Sequence, residues 1–459
     1  MDDGDVRIAS ISGLRGLVGR GLDPAVAVEF AAAYAVGCAR GPIVVGHDGR
    51  VSAEVFVSAV ASGIAATGRD VLLVGATATP TLGFLVREKG LAGGVQISAS
   101  HNPAEYNGLK FFQPRGMVLG AEAGLEMLDR WRNRQFGWVP WNALGHVHPI
   151  DEPDQGHLER VLSRVDMAGI RRHGFTVMLD AGHGAGGRLG GRLLRELGCQ
   201  ATVLGPEPDG LYDHPPEPTE ANLADYSRKV REVGAAVGFA QDPDADRLAI
   251  IDENGRYLGE ELTLALAARR VLETMRGPVV INLSTSSCTE ELAVGLGCEV
   301  WRTPVGEINV VERMLEVGAV LGGEGNGGVI DPRVGLVRDS FVGMALVLDL
   351  MAATGLPLSR LADELPRYCM IKARFPLPAG AGGGVSDCLD RVASAFPDAQ
   401  VDRRDGARLA WPDRFVHARG SNTEPILRVI AEARTDAAAE ALIDRVGALI
   451  HGGEGEKCP

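Results

Sequence analysis

The feature that most constrains this chain is a unit written three times. Residues 86–90, 230–234 and 314–318 each close a helical pattern on a glycine, where a helix C-terminus favours a left-handed residue. A short apolar run follows each glycine, at 94–98, 236–240 and 319–321, and reads as a buried strand. Each strand then opens into a polar loop: Ser98-Ala99-Ser100-His101-Asn102-Pro103, Gln241-Asp242-Pro243-Asp244-Ala245-Asp246-Arg247, and Gly322-Gly323-Glu324-Gly325-Asn326-Gly327-Gly328. Ligands of open α/β sheets bind outside the carboxyl ends of the strands. Three related units, each offering one such loop, therefore predict an α/β chain whose units share one site.

At 459 residues the chain is too long for a single core. Its division is read as 1–150, 151–255, 256–366 and 367–459, with 145–153 as a linker. Strands are expected at 408–411, 415–418 and 426–431 and a helix at 437–450, so the last part reads as a smaller α+β domain. The net charge of −14 argues against a nucleic-acid or membrane-surface partner. The start, Met1-Asp2-Asp3-Gly4-Asp5, has no basic, apolar signal pattern, and no run of about 18 apolar residues occurs. Seven cysteines without a CxxC pair read as free thiols of a reducing, cytoplasmic compartment.

Three loops carry chemistry. Ser100 follows a buried strand beside His101; a serine hydroxyl is a weak nucleophile until a base, a metal or a prior modification activates it, and the plain alternative is a Ser/Asn/Pro turn. Asp242, Asp244 and Asp246 repel one another and call for a hard cation, Mg²⁺ fitting better than Ca²⁺. The spacing begins like an EF-hand with Glu253 twelfth, but Arg247 stands where that loop needs glycine; a solvated acidic loop is the bland reading. Arg419-Gly420-Ser421-Asn422-Thr423-Glu424-Pro425 with Arg428 supplies guanidiniums, hydroxyls and amides suited to a phosphate, against a polar hairpin with ion pairs. Gly182-His183-Gly184-Ala185-Gly186-Gly187 matches the GxGxxG of dinucleotide-binding folds, but Asp180 beside it disfavours a pyrophosphate, and a helix-opening turn is the alternative.

Together these loops resemble the α-D-phosphohexomutase family over nearly the whole chain. Gly13-Leu14-Arg15-Gly16, Gly46-His47-Asp48-Gly49-Arg50 and Tyr106-Asn107-Gly108-Leu109-Lys110 match that family in kind. The resemblance implies three related α/β domains with mixed sheets and a smaller C-terminal α+β domain around a central cleft. It implies a phosphoserine at Ser100, Mg²⁺ held by Ser100, Asp242, Asp244 and Asp246, and a hexose 1,6-bisphosphate intermediate between hexose 6-phosphate and hexose 1-phosphate. Arg15, His101, Lys110 and Arg247 would serve the reacting phosphate and its protons. Glu324 and Asn326 would hold the sugar, and Arg419, Ser421, Asn422, Thr423 and Arg428 the distal phosphate.

Two departures matter. Gly328 stands where many members carry histidine, and Asn326 where many carry serine. The GEGNGG form resembles archaeal-type phosphoglucosamine mutases, and the lysine often found near 282–286 in phosphomannomutase/phosphoglucomutases is missing. The expected ligand is thus a sugar phosphate, glucosamine phosphate first, with mannose or glucose phosphate as the alternative. A sugar-phosphate-binding paralogue without catalysis is the alternative of another class.

Overall fold

A computed structural model describes residues 7–10, 13–377, 384–420 and 426–451. The repeat of the sequence is a repeat of topology. In the first unit Ile43–His47 lies between Val71–Ala76 and Gly93–Ile97, parallel to both, and Tyr106–Phe112 runs antiparallel along Gly93–Ile97. In the second, Thr176–Asp180 lies between Gln200–Leu204 and Val237–Gln241, with Leu248–Asp252 antiparallel. The third repeats this with Val279–Asn282 between Val300–Thr303 and Leu321–Glu324, and Gly328–Ile330 antiparallel. Each polar loop is therefore the turn from the last parallel strand into the antiparallel one. The three glycines that close the preceding helices have φ of +59°, +68° and +65° (Gly90, Gly234, Gly318), the left-handed geometry expected of a helix end.

Two expectations are corrected. The third strand begins at Leu321, not at 319, and takes in Gly322, Gly323 and Glu324, so the loop shrinks to 325–327. A Cβ at Gly323 would lie 2.3 Å from the Gly328 carbonyl oxygen, so glycine here permits close strand pairing rather than a loop. Residues 145–153 are not a plain linker either. Val147–Pro149 adds a parallel strand to Val71–Ala76, covering a sheet edge that would otherwise be open.

The first sheet grows on its other side as well, where Gly13–Val18 pairs with Tyr106–Phe112 and sets Arg15 opposite Gly108. The GxGxxG stretch has a packing explanation. A Cβ at Gly184 would come within 2.4 Å of the Pro243 carbonyl oxygen, so the acidic loop itself presses on this turn. The second and third units share one core: Phe239, Leu248, Leu264, Phe341 and Leu348 belong to a single cluster, centred on the buried helix Ser340–Thr354 against Gly259–Thr274. The C-terminal part is an antiparallel sheet in the order Cys369–Pro376, Ile426–Ala433, Arg414–Gly420, Ala407–Trp411, Gln400–Asp402, packed with helices Gly384–Ser394 and Asp436–Ile450. Among the described residues no helix is long and apolar enough to cross a membrane.

Because the Gly328 backbone cannot move aside without breaking the strand pair, Gly323→Ala should destabilise the chain by about 1–3 kcal/mol, as overpacking does. Urea unfolding measures this, and an unchanged midpoint would contradict the tight pairing.

Candidate active site

Two of the three turns meet face to face. Ser100, 3% exposed, donates from Oγ to Asp242 Oδ2 at 2.6 Å, although the two residues come from different units. Its φ of +51° is rare for a residue with a side chain, and strain of that kind is retained where surrounding structure enforces it. The Ser100 amide is held by Ser98 Oγ at 2.8 Å. Arg50 does the rest. Its buried guanidinium donates to the carbonyls of Ser100 (2.6 Å), Asn102 (2.7 Å), Pro103 (2.6 Å) and Tyr106 (2.9 Å), and its Nε to Asp48 at 3.0 Å. One cation thus binds four carbonyls of the serine loop and of the strand that follows it.

Below Ser100 lie Asp242, Asp244 and Asp246, each fully buried, with one carboxylate oxygen apiece within 4.8 Å of the others. Lys110, from the antiparallel strand of the first unit, bonds Asp244 and reaches Asp246 Oδ2 at 3.1 Å. Thr79 adds its hydroxyl to Asp244 at 2.5 Å. Arg338, from the third unit, donates to Asp246 Oδ2 at 2.7 Å. Burial opposes the charge on Asp246, but Arg338, Lys110 and Arg247 outweigh it and hold this carboxyl below the usual range. Burial, reinforced by Asp246 and Asp244, pushes Asp242 well up. Asp244 Oδ1 and Asp246 Oδ1 are buried without a hydrogen-bond partner. Two buried anionic oxygens left in this way are costly unless a cation takes them, so the donor set suits a hard metal ion.

The remaining expected residues fall around this centre. Arg15 Nη1 donates to Asn102 Oδ1 at 2.9 Å, on the serine loop. His101 Nδ1 stands 3.3 Å from Ser100 Oγ. Burial, with Arg247 and Arg15 nearby, pushes His101 well below the ordinary imidazole range, so it is neutral near pH 7. The Arg247 amide donates to Asp242 Oδ1 at 3.0 Å. Glu324 is already engaged, accepting from Asn282 Nδ2 at 2.8 Å, the Gly306 amide at 3.0 Å and Arg338 Nη1 at 2.9 Å. Asn326 Oδ1 is buried and has no hydrogen-bond partner.

Arg419 and Arg428 are direct cross-strand partners, and Arg374 lies opposite Arg428 on its other side. Lys372 and His417 occupy the next row of the same face. With Glu217 of the second unit and Ser284 of the third, these side chains line a cavity of about 330 Å³. His417 Nδ1 and Ser284 Oγ, 2.9 Å apart, join the C-terminal sheet to the third unit at this point. Ser421, Asn422 and Thr423 lie outside the described residues. Sequence reasoning missed Arg338, Thr79, Lys372 and Arg374. The last two had a signal, alternating basic positions in the strand Met370-Ile371-Lys372-Ala373-Arg374. Arg338 had none beyond being a charge in an apolar stretch.

Comparison with known proteins gives this geometry a family. Profiles of phosphoglucomutase/phosphomannomutase match in chain order: alpha/beta/alpha domain I at 7–136, domain II at 155–255, domain III at 259–368 and the C-terminal domain at 385–448. A phosphoglucomutase/phosphomannomutase of Thermococcus kodakarensis is 35% identical, over 94% of this chain and 96% of that protein. A probable phosphoglucosamine mutase of Methanopyrus kandleri is 36% identical, over 94% and 95%. The crystal structure of a phosphoglucomutase/phosphomannomutase family protein from Burkholderia thailandensis superposes with a TM-score of 0.84 at 27% identity, covering 98% of both chains. The chain belongs to the phosphoglucomutase/phosphomannomutase family, within the α-D-phosphohexomutases that its loops resemble.

Removing the Arg50 guanidinium would leave four carbonyls and Asp48 without their buried donor. Arg50→Met should therefore cost about 3–5 kcal/mol of stability, as breaking a buried charge pair does. Amide exchange should accelerate first in residues 98–106. Uniform acceleration across the first sheet instead would show that Arg50 is not specific to the loop.

Proposed function

We propose that this protein is a phosphohexomutase that interconverts hexose 6-phosphate and hexose 1-phosphate through a phosphoryl group carried on Ser100. The observation that supports it most is the meeting of a strained, nearly inaccessible serine hydroxyl with a buried aspartate triad whose unpartnered oxygens suit a metal. A serine lacking a Ser–His–Asp arrangement becomes a donor when it already carries the phosphoryl group. Transfer then breaks the Ser100 Oγ–P bond as a sugar hydroxyl oxygen bonds to phosphorus, and the hydroxyl proton leaves to a nearby base. The bisphosphate formed turns over, and its other phosphate returns to Ser100.

Each residue has a part in this scheme. Asp242, Asp244 and Asp246, with the Ser100 oxygen, would hold Mg²⁺, which when bound neutralises charge on the phosphoryl oxygens. Lys110, Arg247 and Arg15 add fixed positive charge around the same group. Neutral His101, 3.3 Å from Ser100 Oγ, can accept a proton. The basic face of Arg374, Arg419, Arg428 and Lys372 would bind the phosphate that is not reacting, together with Ser421, Asn422 and Thr423.

Glucosamine phosphate is the preferred substrate in this reading. Its support is Asn326, whose buried Oδ1 is a free acceptor that an ammonium group can satisfy. The similarity to a probable phosphoglucosamine mutase points the same way.

Four outcomes follow. Intact-mass analysis should find one phosphoryl group, mapping to Ser100, and Ser100→Ala should abolish turnover; full activity in that variant would sink the mechanism. EDTA should abolish turnover with recovery on adding Mg²⁺, and kcat/KM should be highest for glucosamine 6-phosphate among glucosamine, glucose and mannose 6-phosphates. A clear preference for a sugar without an amine would overturn the substrate assignment while leaving the mutase reading intact.

A further inference from the structure

Arg338, unmarked in the sequence, makes three charged contacts at this site. Its guanidinium is divided between three carboxylates from two units: Nη2 to Asp246 Oδ2 at 2.7 Å, Nη1 to Glu324 Oε2 at 2.9 Å, and Nε to Glu307 Oε2 at 2.7 Å. Asp246 belongs to the acidic loop, Glu324 to the strand that leads into the 325–327 turn, and Glu307 begins the helix Glu307–Val317. Only 12% of the Arg338 side chain is exposed, so this is a buried junction rather than a surface pair. A forked guanidinium spreads five donors over three nitrogens in one plane and so reaches three separate anions, whereas an ammonium has three donors on one atom.

The backbone around Arg338 is fixed just as firmly. The Asp339 amide donates to the Val329 carbonyl at 2.8 Å. Asp339 Oδ1 caps the helix Ser340–Thr354 through the amides of Phe341 (2.9 Å) and Val342 (3.2 Å), while Oδ2 meets His157 Nε2 at 2.7 Å. Ser340 Oγ donates to the Ala245 carbonyl at 2.7 Å, in the middle of the acidic loop, where Ala245 has φ of +56°. Arg338 and Ser340 therefore buttress the acidic loop of the second unit, while Asp339 between them ties the strand and helix of the third unit to His157.

Space tells the same story. A Cβ at Gly328 would come within 2.2 Å of Arg338 Cδ, 2.6 Å of Cγ and 3.0 Å of Cβ. These are the near atoms of the side chain, not its flexible end. Arg338 lies across the bare α-carbon of Gly328, and any larger residue there would drive it out of the junction.

We propose that Arg338 is a positioning residue that holds the acidic loop and the sugar-side strand in one register, and that Gly328 is glycine to make room for it. This rests on the mutase reading for what the two loops do, but the junction itself is tested without it. The variants are Arg338→Met, Arg338→Lys, Arg338→Ala, Gly328→Ala, and Gly328→Ala combined with Arg338→Ala, all in the full chain.

In Arg338→Met, kcat should fall about 10–100-fold, the effect of a small misplacement of reacting groups. Mg²⁺ titrated calorimetrically into the protein alone should bind no more weakly than wild type, because a cation has been removed from beside Asp246. Arg338→Lys, which keeps charge but loses the fork, should recover only part of kcat. Gly328→Ala should behave like Arg338→Met, and should add no further loss when Arg338 is already alanine.

Retention of kcat within twofold in Arg338→Met would overturn the proposal. So would an additive loss in the double variant, or loss of Mg²⁺ binding and thermal stability together, the mark of a merely structural residue. If the wild-type chain isomerises no hexose phosphate, the mutase reading fails while the Mg²⁺ titration and the stability of the double variant still decide the junction.

Discussion

The architecture of this site depends on burying three carboxylates within 4.8 Å of one another. In a medium of low dielectric their mutual repulsion is severe, and no single loop carries enough positive charge to offset it. The solution recruits cations from three directions. Lys110 comes from the first unit, Arg247 from the acidic loop itself and Arg338 from the third unit. The partners shift one another in the expected sense: burial opposes the charge of Lys110, yet Asp244 and Asp246 raise its pKa above the ordinary value. The units are thus held together at the site by the same charges that hold the site. Even the loop's backbone is shared, since the Thr79 amide takes the Asp244 carbonyl at 2.9 Å and Ser340 takes that of Ala245.

This explains what was legible in the sequence. Local signals read well: the glycines at 90, 234 and 318 adopt the left-handed cap geometry they advertise, and the loops after their strands are the turns that assemble the centre. The spacing of Asp242, Asp244 and Asp246 identifies a cation-demanding cluster without any structure. Non-local signals read poorly. Arg338 is 92 residues from Asp246, and nothing in its neighbourhood marks it. Gly322 and Gly323 read as loop because glycine usually signals a turn; here it signals backbone packed against backbone, as the 2.3 Å approach at Gly323 shows. The strand at Val147–Pro149 was missed for a related reason, since three exposed residues have no apolar pattern and are recruited by the open edge beside them.

The C-terminal sheet presents the opposite electrostatic problem. Arg374, Arg428 and Arg419 stand side by side across three strands, and like charges directly opposite in a sheet are destabilising. The face beneath is apolar, built from residues such as Leu427, Val429 and Val416. A row of this kind makes sense when a polyanion is its partner, and forked guanidiniums match phosphate oxygens better than any other side chain.

The two clusters therefore ask for complementary things. In the proposed reading the acidic centre would take a phosphoryl group only through a cation placed between them, whereas the arginine row would take one directly. A ligand with a phosphate at each end satisfies both at once, and exchanging its ends leaves both satisfied. A symmetric demand of this kind would let a bisphosphate bind equally well in either orientation, which a mutase requires and a simple phosphatase or kinase does not. The cavity lined by Glu217, Ser284 and the basic face draws on three parts of the chain, and the proposed reading puts the second phosphate there. The His417–Ser284 contact joins the C-terminal sheet to the third unit at this cavity.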